Sequence, residues 1–133
     1  MKRIVLDTNI LIDNVHGFAK WVDDFLKREE IQLVVPTIVV AEYLTAQEAE
    51  TKTGYESSKS YLATFKIYDL TGEIAEILGR ILRRKSYVLG ASLADLIVAA
   101  TAIYLDAELA TGNKKDFSKI PDLKFFIPAV IND

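Results

Sequence analysis

The 133-residue sequence predicts a three-layer α/β/α domain built on a central parallel sheet of about five strands. Its strand-like segments are continuously apolar rather than alternating, as in strands covered on both faces. They also take turns with segments of helical period, the pattern of crossover units. No internal repeat, low-complexity run or linker divides the chain, so residues 1–133 read as a single domain. A composition of 50% hydrophobic and 26% charged residues suits a folded globular chain.

Residues 3–7 form the first expected strand, and Ile10-Leu11-Ile12 the first turn of a helix. An amphipathic helix is expected over 17–29, with Phe18, Trp21, Val22, Phe25 and Leu26 on one face. IQLVV at 31–35 reads as the second strand. Pro36 stops it, and Thr37 can cap a helix running to about Ala49. TKTG at 51–54 marks a break before a helix at 55–65, and KIYDL at 66–70 fits a third strand. TGEIAEILGRILRRK carries Ile74, Ile77, Leu78, Ile81 and Leu82 at helical spacing. Gly90 breaks the chain, Ser92 caps the next helix, and strands follow at 107–111 and 124–127.

Several function classes lose their support at once. There are no cysteines, which excludes a thiolate nucleophile and Cys-ligated zinc, and suits a cytoplasmic setting. The only histidine is His16, expected in a loop, so no imidazole pair exists for acid–base cleavage of RNA. The six glycines are scattered and form neither a dinucleotide-binding nor a P-loop motif. MKRIVLD has too short an apolar run for a signal-peptide core. The apolar stretch 86–105 has spanning length, but Asp95 near its middle would cost about 2.5–3.5 kcal/mol on insertion. A buried helix capped at Ser92 is the better reading, and no membrane association is expected. The net charge of −3 argues against a broad basic nucleic-acid face, so any such contact must be local or aided by cations.

What remains is a set of carboxylates. In open α/β sheets ligands bind at the carboxyl ends of the strands. Asp7 ends the first strand, Glu42 lies about two turns into the helix after the second, and Asp95 lies in the first turn of the helix before the fourth. Asp116 follows the fourth strand, after Thr111 and Asn113. Each has an ordinary explanation when taken alone. Asp7, Thr8 and Asn9 could cap a helix, Glu42 could be a surface residue, and Asp116 could belong to a turn. Ser92-Leu93-Ala94-Asp95 matches a capping box. Asp95 is nonetheless the only charged residue from Ser86 to Leu105, and a carboxylate in so apolar a helix needs a partner. Clustered carboxylates repel unless a cation compensates them. An oxygen-only donor set selects a hard ion, Mg²⁺ or Mn²⁺, suited to phosphoryl chemistry. Thr8, Asn9, Thr111 and Asn113 are expected to orient its waters.

Four segments in order, IVLDTNILID, PTIVVAEYL, SLADLIVAATAIYLDAELATGNKKDF and a last strand near KFFIPAV, resemble the PIN-domain family and, within it, the VapC-type ribonuclease toxins. The resemblance implies a metal-dependent nuclease whose acidic quartet is Asp7, Glu42, Asp95 and Asp116. One or two Mg²⁺ or Mn²⁺ ions would be held chiefly by Asp7 and Asp95, and a metal-activated water would be oriented by Glu42 or Asp116. The implied products carry a 3′-hydroxyl and a 5′-phosphate. Asn113 stands where some relatives place a carboxylate, which leaves open whether it or Asp116 takes the fourth position. The resemblance also implies a homodimer and a VapB-type antitoxin that lays a helix in a groove and can set a basic side chain near the acids. Arg83, Arg84, Lys85, Lys114 and Lys115 flank the motifs and are expected to contact the RNA backbone. Two other readings stand beside the toxin: a PIN nuclease of RNA processing with no antitoxin, and an RNA-binding protein that keeps the fold and cuts nothing.

Overall fold

A run of Ile4, Val5 and Leu6, each wholly buried, places β1 (Lys2–Leu6) in the middle of the sheet. In the computed structural model, which describes residues 1–88 and 90–128, it pairs in parallel with β2 (Ile31–Pro36) on one side and β4 (Glu108–Ala110) on the other. β3 (Lys66–Tyr68) and β5 (Lys124–Phe125) complete the order β3-β2-β1-β4-β5. All four pairings are parallel. The sheet is therefore the expected five-stranded parallel one. Continuous apolar strands need cover on both faces. The helices of the crossovers between parallel strands supply it, and the right-handed rule for such crossovers puts those of the β1–β3 half and those of the β3–β5 half on opposite faces.

The helices are α1 (Thr8–Val15), α2 (Trp21–Leu26), α3 (Thr37–Tyr43), α4 (Lys52–Leu62), α5 (Gly72–Leu82), α6 (Leu93–Tyr104) and the short α7 (Lys114–Phe117). α6 is the most buried, with Leu96 and Val98 to Ala102 all in the core. Ser92 opens it with a full capping box. The Ser92 hydroxyl accepts from the Asp95 N–H and the Ser92 N–H donates to Asp95 Oδ2, each at 3.1 Å. Such a cap contributes about 0.5–2 kcal/mol. No helix among the described residues is long and apolar enough to cross a membrane.

Several expected boundaries are corrected. The helix expected over 17–29 is confined to α2, because Gly17 takes a left-handed φ of 86° and turns the chain away from α1. Phe18, expected on the buried face, is 80% exposed in that turn. Thr37 is not a cap: Pro36 occupies that position, without a side-chain bond, and Thr37 is already helical. α3 ends at Tyr43, and a 3₁₀ turn at Gln47–Glu50 replaces the expected extension to Ala49. TKTG is not a break but the start of α4, with the Thr51 hydroxyl accepting from the Gly54 N–H. Gly54 serves close approach: a Cβ there would stand 1.8 Å from the Glu48 carbonyl oxygen. β3, β4 and β5 are each shorter than the segments expected for them. Leu89 of the apolar stretch and Ala129 and Val130 of the last motif lie outside the described residues.

Candidate functional site

The β1–β4 ladder runs one step past β1, where the Asp7 N–H donates to the Ala110 carbonyl at 3.0 Å. This fixes Asp7 at the carboxyl edge of the central strand, 4% exposed, as the N-cap of α1. Its Oδ1 accepts from the Thr8 N–H at 2.8 Å, and its Oδ2 from the Thr111 hydroxyl at 2.8 Å and the Asn9 amide at 3.4 Å. Asn9 also ties two turns together, since its Oδ1 accepts from the Gly112 N–H at 2.9 Å. A Cβ at Gly112 would lie in ordinary contact with that amide, at 3.4 Å.

α3 begins at the carboxyl end of β2 and carries Glu42 toward α1, where its Oε1 accepts from the Thr8 hydroxyl at 2.7 Å. α6 supplies Asp95 from its first turn. The field of both acids reaches Asp7. Burial is the main influence raising the Asp7 carboxyl above its ordinary value. The Thr111 hydroxyl and the Thr8 N–H oppose that rise, and the charges of Asp95 and Glu42 add to it.

Asp116, half-buried on α7, has its Oδ1 3.6 Å from where a Cβ on Gly90 would stand, and it is not among the charges acting on Asp7. Asn113 is exposed; its N–H donates to the Thr111 hydroxyl at 3.1 Å. The structure thus brings Glu42 and Asp95 within electrostatic reach of Asp7 and sets Asp116 beside Gly90.

Thr8, Asn9 and Thr111 are direct partners of the carboxylates. The Thr8–Glu42 and Thr111–Asp7 bonds were hidden because the partners lie 34 and 104 residues apart in sequence. Asp95 is both cap and site neighbour, so its two readings coexist. Lys114 and Lys115 are exposed and continue directly from Asn113. Arg83, Arg84 and Lys85 are also exposed but follow the far end of α5. There Arg80 lines a shallow cleft with Ile103, eight residues along α6 from Asp95. His16 is the C-cap of α1 and has no part in the acidic group.

Among the described residues, no three Asp, Glu or His side chains form a ready-made ion cage, and none of the four acids is in an ion pair with Lys or Arg. Glu42 and Asp95 are turned to local donors, Thr8 and the Ser92 N–H. The donor set nevertheless fits a hard cation. It is all oxygen, and its centre is a desolvated carboxylate raised further by two neighbouring charges, which a cation would relieve.

The profile of the PIN domain matches residues 4–123. The chain belongs to the PIN-domain family. Ribonuclease VapC19 of Mycobacterium tuberculosis is 30% identical to it over 124 residues, covering 90% of this chain and 96% of that protein. The structure of VapBC2 from Rickettsia felis, bound to a DNA fragment from their promoter, matches this PIN domain with a TM-score of 0.72 at 25% identity. That match covers 93% of this chain and 97% of the other. A toxin–antitoxin complex from Klebsiella pneumoniae matches with a TM-score of 0.69 at 30% identity, over 90% and 94% of the two chains. The acids Asp7, Glu42, Asp95 and Asp116 all fall within the matched residues.

Proposed function

We propose that this PIN domain is a Mg²⁺- or Mn²⁺-dependent endoribonuclease that acts as the toxin of a VapBC-type pair. The observation that carries the reading is the convergence of Asp7, Glu42 and Asp95, with no cationic partner among the described residues, at the carboxyl edge of the sheet. Similarity over nearly the whole chain to a protein named as a ribonuclease, and to toxin–antitoxin complexes, supports it.

Asp7 and Asp95 would hold the ion, with Glu42 beside them and Asp116 at the rim. When bound, Mg²⁺ or Mn²⁺ supplies an activated water at neutral pH and neutralises charge on the phosphoryl group. Thr111 and Thr8 keep Asp7 and Glu42 pointed, each through a hydroxyl that donates to one carboxylate oxygen and leaves the other oxygen free of it. Glu42 would accept a proton from an attacking water. Lys114 and Lys115 hold the RNA backbone next to the acids. A VapB-type antitoxin with an Arg or Lys seated against the acids would relieve the same repulsion and block the site. We take the active form to be a homodimer.

The test is cleavage of RNA by the purified protein in Mg²⁺, Mn²⁺ or EDTA, beside Asp95→Asn. Asn can still accept from the Ser92 N–H, so this variant removes the charge and keeps the cap. Cleavage that needs the ion and is lost in the variant is expected. Cleavage that survives EDTA, or full activity in the variant, contradicts the site. Induced expression should arrest growth and co-expression of the adjacent antitoxin gene should restore it; arrest without rescue would favour an RNA-processing nuclease.

A further inference from the structure

α1 carries Thr8 and α3 carries Glu42, so the 2.7 Å bond between them depends on how the two helices are spaced. A single side chain from α4 is wedged into the back of that seam. The Tyr61 hydroxyl donates to Asn14 Oδ1 at 2.6 Å and lies 3.3 Å from the Leu11 carbonyl oxygen, both on α1. Its ring lies 5.5 Å from that of Tyr43, tilted by 32°, and Tyr43 directly follows Glu42 on α3. Phe65 braces the ring edge-on at 5.3 Å.

Asn14 is itself buried and fully engaged. Its amide donates to the Ala19 carbonyl at 3.0 Å and to Asp23 Oδ1 at 3.3 Å, which locks the α1–α2 turn. Burial pushes the Tyr61 phenol far above its ordinary range, so the hydroxyl stays a donor at every working pH. None of these side chains hydrogen-bonds to Asp7, Glu42, Asp95 or Asp116 among the described contacts. They act on the two helices that present them.

We propose that Tyr61, held by Asn14, is a positioning residue for Glu42: it fixes the spacing of α1 and α3 and thereby the Thr8–Glu42 bond. In its effect on cleavage the proposal rests on the nuclease reading; in its effect on Glu42 it does not. Tyr61→Phe keeps the ring packed against Tyr43 and Phe65 and removes only the hydroxyl.

The experiment follows the Glu42 carboxyl and Thr8 methyl NMR signals in the labelled full chain. It also measures kcat and KM for RNA with Mn²⁺. Tyr61→Phe should move the Glu42 signal toward its position in Thr8→Val. It should lower kcat about tenfold at constant KM, the size expected of a small misplacement. In a Glu42→Gln background the same substitution should lower kcat no further, because coupled sites are not additive. Thermal unfolding falling in Tyr61→Phe while the Glu42 signal stays put would make Tyr61 a purely structural residue. Equal losses of kcat in both backgrounds would overturn the proposal as well. If the unsubstituted protein cleaves no RNA, the nuclease reading fails, and the Glu42 signal alone decides whether Tyr61 positions it.

Discussion

The two edges of the same sheet treat charge in opposite ways. At the amino edge Lys2 meets Glu108 at 2.9 Å and Lys124 meets Asp106 at 2.7 Å, while Arg3 donates to Gln32 at 3.2 Å. These groups line an open cleft of about 590 Å³, the larger of the two described. Asp106 is held below its ordinary value by the hydrogen bond and charge of Lys124, and Lys124 is raised in return. At the carboxyl edge Asp7, Glu42 and Asp95 have only neutral donors among the described residues, and Asp7 is raised by burial. The roomier cleft is therefore the electrostatically settled one, and the crowded edge carries an unrelieved charge. A site that opposes its own ionisation persists when something it binds supplies the compensation. Chemistry, more than cavity size, singles out the carboxyl edge.

Substitutions can break or sharpen this contrast. Asp7→Asn and Asp95→Asn should bring RNA cleavage to background, the largest effects expected. They should differ in stability. The raised Asp7 carboxyl takes up a proton more readily in the folded state than in the unfolded one, so its ionisation costs stability as pH rises through its folded value. Relative to the unsubstituted protein, Asp7→Asn should therefore gain stability as pH rises from the acid range to neutral. The gain should shrink on acidification and vanish toward the ordinary carboxylate value of 3.8, as read by thermal unfolding at several pH values. A stability difference between the two proteins that stays constant from acid to neutral pH would mean that the edge is not strained by charge.

Removing a supporting hydroxyl should come next. Thr111→Val leaves Asp7 without its buried donor and should weaken ion affinity by about 10–100-fold, measured by Mn²⁺ titration. Adding the ion should act in the reverse sense. At about a hundred times its dissociation constant Mg²⁺ should stabilise the fold by about 2.7 kcal/mol, and EDTA should remove that gain. Smaller still, Lys114→Ala and Lys115→Ala should each weaken RNA binding and lower the salt slope by about one, read from binding at several salt concentrations. At the amino edge, Asp106→Asn breaks an exposed ion pair and should leave both cleavage and unfolding nearly unchanged.

Much of this was legible in the sequence because it is written locally. Continuous apolar strands declared the parallel sheet, and Ser92 with Asp95 declared the start of α6. The three central acids were legible because Asp7 ends the first strand and Glu42 and Asp95 are the lone carboxylates of apolar helices. Local pattern failed where tertiary contact decides. The α1–α2 turn depends on Gly17 and on the Asn14 amide, and the periodicity that put Phe18 in the core could not see either. Gly54 looked like a breaker and is a close-approach residue within a helix. Tyr61 carried no signal at all, since its partners Leu11 and Asn14 lie about fifty residues back along the chain. The bonds that hold the carboxylates were invisible for the same reason.

Titration of Mn²⁺ into the unsubstituted protein and into Asp7→Asn, followed by calorimetry, tests the central claim most directly. Saturable binding by the first and its loss in the second is the predicted result. Equal binding by both, or none by the unsubstituted protein, would contradict a cation site at the carboxyl edge.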